Sequence, residues 1–302
     1  MGDILTVHDL NKSFGSKHVL HDVDFKVGEG RIVGLIGPNG AGKSTIMKTI
    51  LGLINYESGV IQVAGQTVTP TSHAALANVG ALIEYPGLYP YLTGWDHLDL
   101  FANGDHQLIH IQRIISKLNM DDFIKRLARG YSVGMKQKLG VAMALVNEPS
   151  LVILDEPMNG LDPQSIKDLR DLIIEESQKG TSFLISSHIL SELEKLAQDV
   201  LILDKGKIVS STTMHQLLVS QGRNTIFLQT SDDPKARELL QAASFELDKG
   251  PQVRITDQAD DTLAKALRTL IDAGLDVNDM QREEGTLESS LLDLLAKDRV
   301  DD

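Results

Sequence analysis

The sequence predicts an α/β protein, and three observations support this prediction. Short apolar segments alternate with stretches of helical periodicity along roughly the first 215 residues, as in a sheet covered by helices. Residues 151–154 are Leu-Val-Ile-Leu, an uninterrupted apolar run that favours a strand buried on both faces of a parallel sheet. A glycine-rich turn lies between the apolar segment 31–36 and an amphipathic stretch, which indicates a strand followed by a helix.

Six segments of this region are predicted to form strands. They are 5–10, 31–36, 80–83, 151–154, 182–186 and 200–203. Helices are expected after the first glycine-rich turn, where Ile46, Met47 and Ile50 share one face, and at 135–146. Because residues 86–147 carry no strong strand pattern, we predict an inserted helical subdomain there.

The pattern changes near residue 218, and a second, smaller α+β domain is predicted from there to the end of the sequence. Its expected strands are 225–228, 245–248, 252–255 and 275–280, and its expected helices are 234–243, 261–273 and 287–296. The two middle strands would form a hairpin around 249–251. This βαββαβ order, followed by a helix, resembles a ferredoxin-like domain. The predicted domains are therefore 1–217, with the helical subdomain at about 86–147, and 218–302.

The composition argues against several classes of function. The 302 residues contain 29 Lys and Arg against 42 Asp and Glu, and the formal net charge of −13 argues against a nucleic-acid partner, which needs a cationic surface. There is no cysteine, so neither a thiolate metal site nor a cysteine nucleophile is available. We expect no secretory signal and no membrane-spanning helix, because no apolar stretch approaches about 18 residues.

Residues 37–44 are Gly-Pro-Asn-Gly-Ala-Gly-Lys-Ser and fit the phosphate-binding pattern G-x-x-x-x-G-K-[ST]. Glycines let backbone N–H groups turn towards phosphate oxygens, and the following helix directs the positive end of its dipole at the same anion. Lys43 would supply positive charge to the β- and γ-phosphates, and the Ser44 hydroxyl would ligate Mg²⁺. The residues predicted to bind nucleotide here are Gly37, Pro38, Asn39, Gly40, Ala41, Gly42, Lys43, Ser44 and Thr45.

The apolar run 151–154 ends in two carboxylates, Asp155 and Glu156. Ligands bind at the carboxyl ends of parallel strands, so both acids are expected near the phosphate-binding loop. Asp155 would hold Mg²⁺, directly or through water, and Glu156 would act as the general base that polarises the attacking water. A strand that merely ends in solvated acids is the alternative, but the turn-forming residues 157–163 and the phosphate-binding loop argue against it.

These motifs, in this order, resemble the ATP-binding subunits of ABC transporters over residues 3–215. Residues 131–135, Tyr-Ser-Val-Gly-Met, stand where that family carries its signature loop. Residues 159–162, Asn-Gly-Leu-Asp, resemble the family's D-loop, and residues 186–188, Ser-Ser-His, resemble the motif of its switch histidine. The resemblance implies the cassette fold of a P-loop ATPase that uses ATP and Mg²⁺.

The resemblance also assigns roles to single residues. Phe14 stands where an aromatic ring stacks on adenine. His188 stands where a histidine contacts the γ-phosphate and holds Glu156 with its water. Ser132 and Gly134 would meet the γ-phosphate bound by a second copy, so that a head-to-tail pair of chains encloses two ATP molecules.

Three positions depart from the family pattern. Glu84 replaces the Q-loop glutamine; it would join Ser44 and Asp155 as a Mg²⁺ ligand, but it adds a negative charge near the triphosphate. Val133 and Met135 replace a glycine and the glutamine of the signature loop, and a valine does not adopt a positive φ cheaply. The catalytic motifs are otherwise intact, so ATP hydrolysis is still expected.

The motifs at 84–86, 131–135, 159–163 and 186–192 narrow the resemblance to the bacitracin-resistance and lantibiotic-immunity type. This type implies a bacterial ATPase that powers a separate integral membrane permease and exports a peptide antibiotic or a similar amphiphile. The chain would be cytoplasmic and held on the inner face of the cell membrane by that permease. An aromatic cluster in the helical subdomain would either receive the permease or pack internally. Its members are Tyr85, Leu88, Tyr89, Tyr91, Leu92 and Trp95.

Two other classes of function stay open. A cassette protein that acts on ribosomes or DNA is one, although such relatives carry two cassettes or long coiled coils, which this sequence lacks. A nucleotide-binding regulator without turnover is the other; Val133 favours it, whereas Glu156 and His188 argue against it. The C-terminal domain shows no catalytic pattern, and it would stabilise a dimer, regulate turnover, bind a partner or simply pack.

Overall fold

The computed structural model describes residues 2–69, 71, 74–103, 107–221, 225–247, 250, 252–256 and 261–283. The chain divides into two compact units, Met1–Met214 and His215–Asp302. Each unit has a hydrophobic core of its own. No helix among the described residues is long and apolar enough to cross a membrane.

The first unit combines two sheets with a set of helices. Its strands are β1 (Asp3–Phe14), β2 (Lys17–Gly28), β3 (Ile32–Ile36), β4 (Ser58–Val63), β5 (Gln66–Thr67), β6 (Val79–Leu82), β7 (Leu151–Asp155), β8 (Ser182–Ser186), β9 (Asp199–Asp204) and β10 (Lys207–Thr213). Its helices are α1 (Lys43–Ile50), α2 (Gly94–Phe101), α3 (Gln107–Lys117), α4 (Val133–Leu145), α5 (Pro163–Gln178) and α6 (Leu190–Glu194), with short 3₁₀ turns at Ala74–Leu76 and Ala128–Gly130. Helix α7 (Met214–Gln221) begins where this unit ends.

The predicted parallel sheet is confirmed. Its strand order is β10-β9-β3-β8-β7-β6, in which β10 pairs antiparallel at one edge and the other neighbours are parallel. Every residue of β3 and β7 is buried, which explains their continuous apolar sequences. The carboxyl ends of β3, β7 and β8 share one edge, where the glycine-rich loop follows β3 and Asp155 ends β7.

The predicted strand 5–10 belongs to a second, antiparallel sheet of order β2-β1-β4-β5. Sequence reasoning did not predict β2, β4, β5 or β10. In β2 the buried residues Val23, Phe25 and Val27 alternate with exposed polar residues, as in a strand with one face in water. Alternation of this kind is a weaker local signal than the uninterrupted apolar run of β7.

Helix α1 lies in a core that residues of both sheets share. Its Ile46, Met47 and Ile50 are fully buried, as their shared helical face predicts. Buried residues of β1, β2, β3 and β7 belong to the same cluster. Because β3 and α1 are both anchored in packed structure, the glycine-rich loop between them has a defined position.

Helices α2, α3 and α4 occupy the segment predicted as a helical subdomain, 86–147. Tyr131, just before α4, is buried among them. Its hydroxyl donates a hydrogen bond to the carbonyl oxygen of Phe123 at 2.9 Å and accepts one from the N–H of Gly94 at 3.1 Å. The bond to Gly94 links the segment before α4 to the first residue of α2, and the bond to Phe123 links it to the segment between α3 and α4.

Ion pairs connect α3 of the helical subdomain with α5. Arg113 Nη1 lies 2.6 Å from Glu176 Oε1, and Lys117 Nζ lies 2.5 Å from Glu175 Oε2. Lys179 also pairs with Glu175, at 2.8 Å. Hydrogen bonds from Lys117 and then Lys179 lower the pKa of the Glu175 carboxyl from 4.5 to about 2.

Glu175 is expected to make the stability of the protein sensitive to acid. Since its pKa is depressed from 4.5 to about 2 in the folded protein, its stabilising contribution is complete above about pH 4.5 and is lost as the pH falls towards 2. The side chain is 32% exposed, so solvent screening limits this contribution to about 1 kcal/mol. Urea unfolding at about pH 6 and about pH 3 should show a smaller acid-induced loss of unfolding free energy in Glu175→Gln than in the wild type. Lys117→Gln should also lose less unfolding free energy on acidification than the wild type. Equal losses in all three proteins would contradict the prediction.

The second unit has a three-stranded antiparallel sheet of order β12-β11-β13. Its elements are β11 (Thr225–Thr230), α8 (Asp233–Ala242), β12 (Val253–Thr256), α9 (Thr262–Asp272) and β13 (Val277–Glu283). Strands and helices share a core of Ile226, Leu228, Ala236, Leu240, Val253, Ile255, Ala266, Leu270 and Leu275. The predicted strands 225–228, 252–255 and 275–280 and helices 234–243 and 261–273 therefore form, with small shifts of their ends.

The predicted hairpin of the second unit does not form as a pair of strands among the described residues. From the predicted strand 245–248, Leu247 makes a single antiparallel bridge to Ile255. The Thr256 N–H also donates a hydrogen bond to the Glu246 carbonyl oxygen at 3.0 Å, and Phe245 and Leu247 pack against the core of this unit. Residues 248, 249 and 251, like the predicted helix 287–296, lie outside the described residues.

Candidate nucleotide-binding and catalytic site

The glycine-rich loop connects β3 to α1 and depends on glycine at two positions. At Gly37, a Cβ atom would lie 2.1 Å from the carbonyl oxygen of Leu203, so no side chain fits there. Gly42 has φ +116°, a conformation that favours glycine, and it precedes the first residue of α1. The loop therefore follows its tight path next to β9 because these positions lack side chains.

Lys43 is folded back over this loop. Its Nζ donates hydrogen bonds to the carbonyl oxygens of Gly37 at 2.7 Å and Pro38 at 3.3 Å, and the residue is only 8% exposed. Burial lowers the pKa of the Lys43 ammonium, and the negative charges of Glu156 and Asp155 oppose this shift. The ammonium is thus held at the loop in a partly desolvated place, where it interacts strongly with an anion.

Asp155 is a buried carboxylate with both oxygens hydrogen-bonded. Ser44 Oγ donates to its Oδ2 at 2.7 Å, and Ser186 Oγ donates to its Oδ1 at 2.6 Å. The phosphate-binding loop, the end of β7 and the end of β8 therefore meet at this residue. Hydroxyl and carboxylate oxygens are the ligands that Mg²⁺ prefers.

Glu156 and His188 also lie together at this edge of the sheet. Glu156 Oε2 accepts a hydrogen bond from the His188 backbone N–H at 3.1 Å and lies 2.7 Å from His188 Nδ1. The Glu156 N–H donates to Ser186 Oγ at 2.9 Å. This arrangement directs a partly exposed carboxylate towards an exposed imidazole.

A cavity of about 480 Å³ brings most of the predicted site residues together. Its lining comprises Val19, Asn39, Gly40, Gly42, Lys43, Ser44, Thr45, Glu84, Tyr85, Val133, Gln137, Asp155, Glu156, Asn159 and Gly160. This volume lies within the usual range for small-ligand sites, about 300–1,000 Å³. Among the described residues, Gly37, Pro38, Ala41, Phe14, Ser132, Gly134 and His188 lie outside the lining.

Phe14 has a ring that is half exposed and close to a cation. The residue is 50% exposed, and Lys12 Nζ lies 4.6 Å from its ring centroid. Val19, which lines the cavity, follows on the neighbouring strand β2. The exposed ring is therefore available to stack on a planar group.

Glu84 has a counter-ion that sequence reasoning missed. Lys48 Nζ lies 2.5 Å from Glu84 Oε1. Lys48 is four residues after Ser44 on α1, so both side chains are on the same side of the helix. The negative charge that Glu84 adds near the predicted triphosphate site is thus paired within the chain.

The expectation that Val133 would be strained by a positive φ is wrong. Ser132 caps α4, with its Oγ accepting a hydrogen bond from the Met135 N–H at 3.2 Å, and Val133 is the first helical residue after it. A helical residue has negative φ, which suits valine. The side chain is 62% exposed and borders the cavity next to Gly160, where a Cβ would lie 2.6 Å from Val133 Cγ1.

The aromatic cluster is largely on the surface. Tyr85, Tyr89 and Tyr91 are 85%, 57% and 76% exposed, whereas Trp95 is partly buried. Tyr85 lines a second cavity of about 550 Å³ as well as the first. Apolar members of its lining include Leu51, Leu53, Leu82, Ile83, Pro86, Phe101 and Met143. This exposure favours docking over internal packing for the three tyrosines.

Comparisons with known proteins show which family this chain is similar to. The ABC transporter family model matches residues 20–159. The bacitracin transport ATP-binding protein BcrA of Bacillus licheniformis is 33% identical over 98% of this chain and 98% of its own. The lantibiotic transport ATP-binding protein SrtF of Streptococcus pyogenes is 40% identical over 68% of this chain and 89% of its own. A solved ATP-binding subunit of an ABC transporter superposes with a TM-score of 0.68 at 32% identity, covering 72% of this chain and 92% of that chain.

The parallel sheet, the phosphate-binding loop and the adjoining acids define a P-loop nucleotide-binding protein with the cassette fold. The chain belongs to the family of ABC transporter ATP-binding subunits, which are ATPases. Such a subunit works with a membrane permease. The predictions of the cassette fold, of ATP binding and of the family are therefore confirmed.

Proposed function

We propose that two copies of this chain bind two ATP molecules with Mg²⁺ and power a separate permease that exports a peptide antibiotic or a similar amphiphile. The convergence of Ser44, Asp155, Glu156 and His188 at one edge of the parallel sheet carries the catalytic part of this proposal. Relatives whose names refer to bacitracin and lantibiotic transport support the class of substrate.

The oxygen atoms around Asp155 fit a magnesium ion. Ser44 and Asp155 would hold it, and Glu84 would reach it after leaving Lys48. When bound, Mg²⁺ neutralises negative charge on the β- and γ-phosphates. Lys43 would contact the same phosphates from the loop.

Glu156 is proposed as the general base of hydrolysis. Its carboxylate would accept a proton from the water that attacks the γ-phosphorus, while the bridging oxygen leaves with ADP. The His188 backbone N–H donates a hydrogen bond to the carboxylate, and His188 Nδ1 lies next to the same carboxylate oxygen. Phe14 would stack on adenine, since its ring is exposed.

The signature loop supports the proposed head-to-tail dimer. Ser132 and Gly134 lie at the N-terminal end of α4, where backbone N–H groups and the helix dipole attract an anion. Ser132 is exposed and Gly134 is partly exposed, so this end of the helix would be accessible to the γ-phosphate held by a second copy. Two-fold symmetry then makes two equivalent sites.

The exposed tyrosines support a permease contact on the helical subdomain. Tyr85 lines an apolar cavity, Tyr89 and Tyr91 are also exposed, and exposed aromatic side chains are typical anchors of protein interfaces. The chain would then be held at the inner face of the cell membrane by its permease. A non-hydrolysing regulator is the second candidate, which the paired Glu156 and His188 disfavour.

Replacing an exposed tyrosine is expected to weaken the permease contact. Because Tyr91 is 76% exposed, Tyr91→Ser should leave the fold and ATP affinity unchanged. In cells that also express the permease of the neighbouring gene, co-purified permease should fall roughly 5- to 30-fold, as for loss of an interface anchor, and antibiotic resistance should fall with it. Tyr89→Ser should act in the same way.

Val209→Ser provides the matched control, since Val209 is an exposed apolar residue on β10, away from the helical subdomain. It should keep wild-type co-purification and resistance. If both tyrosine variants also keep them, the proposed docking surface is wrong.

A further inference from the structure

Gln137 is a buried polar side chain that the roles above do not use. It is 4% exposed, lies on α4 one turn after Val133, and lines the same cavity. Its Nε2 donates a hydrogen bond to the backbone carbonyl oxygen of Glu156 at 3.2 Å. This side chain therefore connects the helix of the signature loop with the backbone of the proposed general base.

Glu156 has a backbone conformation that needs support. Its φ is +51°, in the left-handed region that L residues with long side chains rarely adopt. Such conformations persist where the surrounding structure holds them, often at functional sites. The Glu156 N–H is held by Ser186, and its carbonyl oxygen accepts from the Asn159 N–H at 3.2 Å as well as from Gln137. Of these partners, Gln137 is the side chain that comes from the helical subdomain.

The direction of the Glu156 carboxylate depends on this backbone. A rotation of the Glu156–Pro157 peptide would move the Glu156 Cα–Cβ bond and shift Oε2 from its position 2.7 Å from His188 Nδ1. Misplacement of a reacting group by about 1 Å can lower a rate by about 100-fold. The Gln137 bond can thus govern turnover even if it contributes little to stability, because Asn159 still satisfies the same carbonyl.

We propose that Gln137 is a positioning residue that makes the orientation of Glu156 depend on how α4 is seated at the nucleotide cavity. This inference rests on the proposed role of Glu156 as general base. In the first turn of α4, Val133 packs against Gly160, and a Cβ at Gly134 would lie 2.9 Å from the Gly160 carbonyl oxygen. Gln137 lies one turn further along the same helix. A movement of the first turn would therefore be transmitted to the Glu156 backbone through the Gln137 hydrogen bond.

The test replaces the donor while keeping the shape of the side chain. Gln137→Met should lower kcat for ATP hydrolysis by the full chain roughly 10- to 100-fold, since the carboxylate loses its orientation. The KM for ATP and the Kd of a fluorescent ATP analogue should stay within about threefold, because the phosphate contacts are unchanged. Val141→Ala is the matched control on the same helix, with Val141 1% exposed. It should lower the Tm but keep kcat within about threefold of the wild type.

A double substitution separates positioning from general loosening. In the Glu156→Gln background, Gln137→Met should cause no further loss of turnover, since there is no base left to position. Wild-type kcat in Gln137→Met, an equal loss in both backgrounds, or the same loss in Val141→Ala would each overturn the inference while leaving the proposed function intact. Turnover unaffected by Glu156→Gln would overturn the proposed function itself, and this inference with it.

Discussion

Glu156→Gln should lower kcat for ATP hydrolysis by about 10²- to 10⁴-fold, the range that general acid–base catalysis contributes. The amide oxygen can still accept the hydrogen bond that the His188 backbone N–H donates to Oε2 at 3.1 Å. It cannot accept the proton of the attacking water. Because Lys43 and the phosphate-binding loop are unchanged, ATP affinity should stay near the wild-type value. Steady-state hydrolysis and equilibrium binding of a fluorescent ATP analogue measure the two quantities separately.

The same substitution should trap the proposed dimer. If ATP binds but is not consumed, the ATP-bound pair accumulates, and light scattering with Mg²⁺ and ATP should give about twice the 33.0 kDa of one chain. Glu29→Gln is the matched control, since Glu29 is exposed in the same unit. It should hydrolyse ATP like the wild type and should not accumulate as a dimer. A Glu156→Gln protein that stays monomeric with ATP would contradict the dimer, and unchanged turnover would exclude Glu156 as the base.

Lys43→Met should abolish ATP binding at ordinary concentrations. The ammonium is held at the loop by the carbonyl oxygens of Gly37 and Pro38, in a place where burial lowers its pKa and strengthens its interaction with an anion. Charge-assisted hydrogen bonds are worth roughly 1.5–3 kcal/mol each, so losing the contacts to two phosphates should lower the affinity for ATP at least about 100-fold. Turnover should disappear with binding, and titration with the fluorescent analogue measures the change.

Thermal unfolding gives an independent measure of the same effect. At an ATP concentration of about 100 times Kd, binding stabilises the wild type by about 2.7 kcal/mol, or roughly 5–10 °C in Tm. Lys43→Met should lose this shift while its Tm without ATP changes little, because relief of ammonium burial offsets the two lost hydrogen bonds. Lys167→Met, at an exposed position of α5, should keep the shift. A full ATP-induced shift in Lys43→Met would contradict the role of this lysine.

The sequence predicts best those parts of the site whose geometry is local. Residues 37–44 combine glycines, a lysine and a serine at a spacing set by a strand, a turn and a helix, so the pattern defines the loop without knowledge of the rest of the chain. Asp155 and Glu156 can be placed because an apolar run of strand length ends at them. Strand β2 was harder to predict because its buried residues alternate with polar ones, and the pairing that stabilises it is with β1.

Other features could not be predicted from the sequence because they depend on side chains that meet only in the folded chain. The pairing of Lys48 with Glu84 joins α1 to the segment after β6, and nothing in the residues around either position indicates the other. Gln137 gave no signal either, since a glutamine on a helix is ordinary until its amide is buried against the Glu156 carbonyl. The expected strain at Val133 is absent. The expectation was based on the glycine that the family carries at this position, whereas the helix that begins at Val133 gives it a negative φ.

By itself, the sequence therefore determined the α/β class of the first unit, the phosphate-binding loop and the two acids, because periodicity and spacing act within a few tens of residues, and the cassette fold followed from the family resemblance of these motifs. The tertiary structure decided how they become one site. It brings Ser44 and Asp155, which are 111 residues apart, within 2.7 Å, and closes the other side of Asp155 with Ser186. It also decided that Tyr85, Tyr89 and Tyr91 are exposed whereas Tyr131 is buried, because burial is set by the elements that pack around a side chain and not by its neighbours in the sequence.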